Sequence, residues 1–169
     1  MRHSQDQWST KSLQTFWDKV FDETDAMTHI PTTVYFFKRE KKILSKWFPD
    51  FRNKKIFKSD LWDEVKNTQL LRWVYKKGAK CFGIDISTKI LKAVRKNAKY
   101  VNAKYGDIRK IPYPKNSFDY IISIGTVEHF PQTSKALEEM QRVLKPGGVA
   151  MISVPVKYDL WGRFLFIGI

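Results

Sequence analysis

The stretch from Lys80 to Val154 constrains the fold most, because it alternates apolar runs with segments of helical periodicity. Four apolar runs of strand length occur in it, at 81–85, 100–105, 118–124 and 149–154. Near-continuous apolar strands of this kind predict a parallel sheet whose two faces are both covered by helices. Asp85 ends the first run and Asp107 follows the second. Open sheets of this class bind ligands in a crevice at the carboxyl ends of their strands, where both carboxylates are expected.

The remaining segments complete an alternating order of strands and helices. Apolar spacing predicts a first strand at 54–61 and helices at 9–23, 34–47, 63–77, 88–99 and from Ser134 to Leu144. Ser87 and Ser134 are suited to cap the helices that follow them, and Pro31 is expected in a loop at 24–33. Right-handed crossovers then predict an α/β fold with a doubly wound, Rossmann-like, mostly parallel sheet.

Two parts of the 169-residue chain are expected to differ in role. Residues 54–169 should form the Rossmann-like core, and residues 1–53 an N-terminal helical segment that packs on or caps it. The two N-terminal helices either lie over the ligand edge of the sheet or pack on one of its faces, and their sequence favours neither placement.

The chain is strongly basic, with a formal net charge of +14 and a pI near 9.8. Such a surplus favours contact with polyanions, either RNA or an anionic membrane surface, through basic faces at 38–46 and 89–110. A solvated face without a partner is an equally good interpretation. Cys81 is the only cysteine and lies in a predicted buried strand, which indicates a core residue rather than a nucleophile. With no apolar signal peptide at the N-terminus, these features predict a cytoplasmic protein.

Asp85 is the most informative single position. A carboxylate at the end of a strand, just before a helix begins, can accept hydrogen bonds from both hydroxyls of a ribose. Asp85 is also suited merely to start the helix, and Asp107 to occupy an ordinary turn after Gly106. Two acids at successive strand ends favour the ligand-binding interpretation more than either does alone.

Four motifs together resemble the class I S-adenosylmethionine-dependent methyltransferases, of the broad kind related to small-molecule and lipid enzymes. They are Phe82-Gly83-Ile84-Asp85-Ile86-Ser87, the run from Gly106 to Tyr113, the run from Ser117 to Ser123, and the run from Arg142 to Gly148. Their order and spacing match the family over the second half of the chain. The resemblance implies a Rossmann-like fold, S-adenosylmethionine as cofactor and no metal ion.

The resemblance also implies how the adenosine part of the cofactor would be held. Asp85 would bind the ribose hydroxyls, with Ile86 against the adenine. Asp107 would meet the adenine amino group, and Ile108 would pack or donate a backbone hydrogen bond beside it.

A second set of positions is implied at the reacting end. Ser123, Ile124 and Gly125 would line the methionine part of the cofactor. Glu128 and His129 follow, where family members often place residues near the reacting methyl group. His129 is the better candidate for a base because of its intrinsic pKa, and a capping or core role is its alternative.

The loop after the first strand departs from the family pattern. It contains no glycine from Ile56 to Glu64, although the usual turn needs glycine so that the backbone can approach the cofactor closely. Lys58 stands where an acid is common. Asp60 or Asp63 is the candidate to contact the cofactor amino group through a reshaped loop.

The C-terminal part also departs from the family, whose sheet usually has seven strands. The sequence stops at Ile169, soon after the fifth predicted strand, and its segment 161–169 is largely apolar. We therefore expect the C-terminal strands to be missing. An exposed sheet edge and an apolar tail favour self-association.

Methyl transfer to a small-molecule or lipid-like acceptor is the function that these features favour. A catalytically impaired remnant and a basic nucleic-acid-binding module on the same fold are the alternatives. A nicotinamide-dependent dehydrogenase is disfavoured, because a pyrophosphate needs the backbone N–H groups of a glycine-rich loop.

Overall fold

The computed structural model describes residues 8–154 together with the backbone of residues 163–168. The helices are α1 (Thr10–Glu23), α2 (Pro31–Trp47), α3 (Trp62–Lys66), α4 (Leu70–Lys76), α5 (Thr88–Asn97) and α6 (Thr133–Val143). The strands are β1 (Lys55–Lys58), β2 (Lys80–Asp85), β3 (Val101–Tyr105), β4 (Phe118–Ile124), β5 (Leu144–Val154) and β6 (Arg163–Gly168). This order confirms the predicted alternation of strands and helices.

One six-stranded sheet organises the described residues, in the order β3-β2-β1-β4-β5-β6. Strands β1 to β5 are parallel to their neighbours, and β6 runs antiparallel to β5. The chain order reverses direction between β1 and β4, which is the point at which sheets of this class form their ligand crevice. The predicted α/β class is therefore confirmed.

The sheet extends one strand beyond the expected end. Backbone pairing joins Val154 to Arg163 and Val149 to Gly168, so β6 occupies the edge of β5 that the sequence had left open. The prediction that the C-terminal strands are missing is therefore wrong for β6, which pairs antiparallel with β5. Residues 161, 162 and 169 of the apolar tail lie outside the described residues.

Three helix predictions need correction. Helix α2 begins at Pro31 rather than at 34, because proline is well suited to the first turn, where its missing N–H is not needed. The helix predicted at 63–77 is two helices, separated where Gln69 adopts φ = 54°. Ser134 lies inside α6, whose N-terminal cap position is Gln132, without a side-chain cap.

The sheet separates two hydrophobic cores, because successive residues of a strand face opposite sides. Ile56 packs with Leu44, Phe48 and Val74 on one side. Its neighbour Phe57 packs on the other side, where α6 and the 3-10 turn Val127–His129 cover the sheet. Cys81 is buried in the first core, as predicted.

Helix α1 is joined to the start of α5 by one carboxylate. Asp18 accepts hydrogen bonds from the Ser87 hydroxyl (2.5 Å), the Thr88 hydroxyl (3.0 Å) and the Lys89 backbone N–H (3.2 Å). Burial favours the neutral carboxyl, but these hydrogen bonds outweigh it and lower the pKa of Asp18. The carboxylate thus holds α1 against the helix that follows β2.

We expect Asp18→Ala to lower the free energy of unfolding by about 1–2 kcal/mol, because the N-terminus of α5 loses a charged partner. Urea denaturation at neutral pH measures the loss. Since the folded pKa of Asp18 is lowered, its contribution is present above about pH 4 and declines as the pH falls further. Glu23→Ala, which removes an exposed carboxylate of the same helix, is the matched control. An equal effect of both substitutions would contradict the assigned role.

Candidate active site

A cavity of about 260 Å³ opens at the carboxyl ends of β1, β2 and β4, where the chain order of the sheet reverses. It is lined by Trp17, Ser59, Asp60, Trp62, Asp63, Asp85, Ile86, Ile90, Gly106, Asp107, Ile108, Ile124, Gly125, Thr126, His129 and Phe130. Four of these side chains are carboxylates and none belongs to Lys or Arg. The cavity is therefore acidic, within a chain that is strongly basic overall.

Asp85 is buried in the cavity wall and joins two turns. Its Oδ2 accepts from the backbone N–H of Leu61 at 2.9 Å, and its Oδ1 from that of Ser87 at 2.8 Å. An ionised carboxylate has about four acceptor positions, so two remain for a ligand. Burial raises the pKa of Asp85 to about 7, although the two backbone hydrogen bonds act in the opposite direction.

Asp107 lines the same cavity as Asp85, but its carboxylate accepts more hydrogen bonds from the protein. Arg109 contacts both of its oxygens through Nε, at 3.0 and 3.1 Å, and Oδ2 also through Nη2, at 2.6 Å. The Thr10 hydroxyl of α1 donates to Oδ2 at 2.9 Å, and the Arg109 backbone N–H to Oδ1. Burial alone would raise the pKa of Asp107, but these contacts lower it. A ligand amino group would compete with Thr10 for this carboxylate.

The glycine-free loop after β1 is built around a buried ammonium group. Lys58 is fully buried, and its Nζ contacts Asp60 Oδ1 at 3.1 Å and Asp63 Oδ2 at 2.8 Å. Desolvation opposes the charged form, but the surrounding acids, Asp60 first, raise the pKa of Lys58 above its usual value. The loop is thus closed by ion pairs where the family pattern uses glycine.

The same loop requires a glycine in the neighbouring strand. A Cβ at Gly83 of β2 would lie 2.5 Å from Leu61 Cδ2 and 3.3 Å from the Lys58 carbonyl oxygen. Any larger residue would therefore force the buried Leu61 side chain to shift and would crowd the Lys58 carbonyl, within the loop whose Leu61 N–H donates to Asp85.

Three hydroxyl groups connect β1 to β4 below the cavity. Ser59 Oγ lies 2.9 Å from Ser123 Oγ and 3.0 Å from Thr126 Oγ1. Thr126 in turn donates to Asp60 Oδ2 at 2.7 Å. Asp60 thereby has one oxygen on Lys58 and the other on Thr126, which fixes its orientation at the cavity wall.

Aromatic rings from α1 and α3 close the other side. Trp17 makes edge contacts with His129, at 4.9 Å between ring centroids, and with Trp62, at 6.4 Å. Trp17 comes from α1, so the N-terminal segment reaches the ligand edge of the sheet. His129 is half-buried against it and ends a 3-10 turn.

Most of the predicted site residues meet in this cavity. Those that line it are Asp60, Asp85, Ile86, Asp107, Ile108, Ile124, Gly125 and His129. Ser123 does not, because it is fully buried beneath the wall and bonded to Ser59. Glu128 does not line it either; partial burial of its carboxyl raises the pKa of this group. Sequence reasoning missed Trp17, Trp62, Thr126 and Phe130, whose positions depend on contacts distant in sequence.

Among the described residues, no group of three or more His, Cys, Asp or Glu side chains is arranged to hold a metal ion. None of the described helices is both long and apolar enough to span a membrane.

Residues 66–152, slightly more than half of the chain, match a family profile described as "Methyltransferase domain". A 61-residue segment is 41% identical to 2-methyl-6-phytyl-1,4-hydroquinone methyltransferase 1, chloroplastic, of Oryza sativa subsp. japonica, covering 36% of this chain and 18% of that protein. An 88-residue segment is 34% identical to the demethylmenaquinone methyltransferase of Geobacillus stearothermophilus, covering 49% and 38%. The chain thus spans less than half the length of either relative.

Two solved structures resemble the fold. A SAM-dependent methyltransferase from Aquifex aeolicus superposes with a TM-score of 0.62 at 24% identity, covering 77% of this chain and 70% of its own. The [4+2]-cyclase SpnF superposes with a TM-score of 0.72 at 18% identity, covering 92% and 64%. At these identities the likeness concerns the fold alone.

We expect Lys58→Met to lower the free energy of unfolding by about 3–5 kcal/mol, because Asp60 and Asp63 would be left without their buried counter-charge. Adding Asp63→Asn to this variant should recover part of the loss, since one of the uncompensated carboxylates is removed. Urea denaturation measures both, with the exposed Lys92→Met as control. If Lys58→Met were no more destabilising than the control, the ion pairs would not be what closes the loop.

Proposed function

Because the chain belongs to the methyltransferase domain family, we propose that it transfers a methyl group from S-adenosylmethionine to a small-molecule acceptor with a hydroquinone-like ring. The observation that supports this most is the acidic cavity at the sheet reversal, to which β2 contributes Asp85. Family membership supports the reaction class, and the cavity supports the position at which it takes place.

The residues of the cavity fit the cofactor. Asp85 has two acceptor positions left for a pair of ribose hydroxyls, and the apolar side chains of Ile86, Ile108 and Phe130 suit a purine ring. Asp60 suits an amino group, since its two oxygens retain further acceptor capacity. Asp107 fits the adenine amino group only if the Thr10 hydroxyl yields its position.

The chain's own side chains would position the reactants and move a proton. When bound, S-adenosylmethionine supplies a methyl group made electrophilic by its positively charged sulfur. Trp17 and Trp62 would exclude water from the cavity. His129 would accept the proton that an acceptor hydroxyl loses, because its ring lines the same cavity. Glu128 does not line the cavity, so it has no part in this reaction.

The names of the relatives suggest the class of acceptor. One acts on a phytyl-substituted hydroquinone and the other on demethylmenaquinone. We extend to this chain only what the two have in common, which is a quinone-type ring with an apolar substituent. This acceptor agrees with the lipid-like class that the sequence motifs indicate.

Binding and turnover test the proposal separately. Isothermal titration with S-adenosylmethionine and with its demethylated product should show binding by the wild type and loss of binding by Asp85→Asn. Radiolabelled methyl transfer to reduced demethylmenaquinone should then be detected for the wild type. Absence of binding by both cofactor forms would end the proposal.

A catalytically impaired, cofactor-binding protein is the second candidate function. The observation that favours it is the loop after β1, where Lys58, Asp60 and Trp62 occupy the region in which the family pattern has glycine. This candidate predicts binding of S-adenosylmethionine without methyl transfer to any quinol offered.

We expect the affinity for S-adenosylmethionine to rise between pH 6 and pH 8, because ionised Asp85 accepts hydrogen bonds better than its neutral form. With a pKa of about 7, the ionised fraction changes about tenfold over this range, and the apparent dissociation constant should fall by up to that factor. Titration calorimetry at several pH values measures it. His129→Gln should retain the dependence, whereas a flat profile in the wild type would exclude Asp85 as its source.

A further inference from the structure

Exposed large hydrophobic residues are concentrated at α2. Eight such side chains are exposed among the described residues, and five of them lie in α2 or directly before it: Ile30, Val34, Tyr35, Phe36 and Trp47. Each is between 40% and 47% exposed. Ile30 and Val34 share one side of the helix with Tyr35, whereas Phe36 and Trp47 lie on another side. Single exposed apolar residues are ordinary, but a concentration of this kind marks an interaction surface.

Basic residues lie on the side of the helix that carries Val34 and Tyr35. The helix contains Lys38, Arg39, Lys41, Lys42 and Lys46, and its only acid, Glu40, is buried. Lys38, Lys42 and Lys46 recur at intervals of four, so they form one stripe along the helix, and all three are exposed. Val34 continues this stripe toward the N-terminal turn. Apolar and basic groups are thus presented together, without an acid among them.

We propose that this face of α2 docks onto the surface of a bilayer that contains anionic lipids. Helices that lie at a membrane surface combine buried aromatic and aliphatic groups with lysines that contact acidic head groups. Ile30, Val34 and Tyr35, on the side of the helix that carries the lysine stripe, enter the interfacial region, and the stripe lies against the phosphates. The aliphatic residues favour lipid over RNA, because single-stranded nucleic acid binds through aromatic stacking and cations.

The inner side of α2 packs on the core. Leu44 is fully buried there, in the cluster that contains Ile56 of β1 and Val74 of α4. The outer side is therefore the part of the helix that is left to meet a membrane.

Vesicle sedimentation tests the proposal with vesicles of phosphatidylcholine alone and of phosphatidylcholine with phosphatidylglycerol. The wild type should bind the anionic vesicles and not the neutral ones. Lys38→Gln, Lys42→Gln and Lys46→Gln together should weaken binding on the order of 100-fold. The matched control removes three exposed lysines near or in α5, at Lys92, Lys96 and Lys99, and should retain most of the binding.

A second pair of variants separates docking from net charge. Val34→Ser with Tyr35→Ser leaves the charge unchanged and should still weaken binding, whereas Tyr75→Ser, an exposed aromatic residue of α4, should not. Circular dichroism establishes that each variant is folded. Equal losses in both lysine variants, or retention of an RNA oligonucleotide without retention on vesicles, would overturn the proposal. No methyl donor or acceptor is present, so the result does not depend on the proposed function.

Discussion

One buried ammonium group, that of Lys58, determines how the loop at the ligand edge of the sheet is built. Taking a lysine fully out of water is costly, and only close opposite charges compensate for it. Asp60 and Asp63 provide them at 3.1 and 2.8 Å. The ion pairs close the loop without glycine, and the loop then directs the Leu61 N–H to Asp85. The geometry of the candidate site therefore depends on a charge that does not itself line the cavity.

The glycine-free loop depends on a glycine in the strand beside it. Gly83 of β2 leaves room for the Leu61 side chain, which would have to shift if this position carried a Cβ. A glycine-rich turn lets the backbone approach a ligand closely. Here Gly83 instead lets the Leu61 side chain approach β2. A ligand would therefore meet the carboxylates of Asp60 and Asp63 where the family pattern places the backbone of a glycine-rich turn.

Asp85 was predictable from sequence, whereas Lys58 was not. An apolar run, its terminal acid and the parallel order of strands together determine where Asp85 lies. The burial of Lys58 depends instead on tertiary contacts that no local pattern reports, as do Trp17 above the cavity and Thr10 on Asp107. The break at Gln69 also lacks a local signal, because neither glycine nor proline marks it. Pro31 was expected in a loop but begins α2, because proline is found both after helices end and in their first turn.

The cavity and the outer surface of the protein differ in the sign of their charge, and this difference limits what each of them can bind. The chain has a net charge of +14, yet its cavity is lined by four carboxylates and, among the described residues, by no Lys or Arg. Lys58 and Arg109 neutralise part of this charge from behind the wall, but the groups that face a ligand are carboxylates, which disfavour a pyrophosphate and favour a sulfonium with an amino group. The exposed lysines of α2, being positively charged, favour phosphate instead. Because the two potentials are spatially separated, a cationic donor can bind within a protein whose net charge is strongly positive.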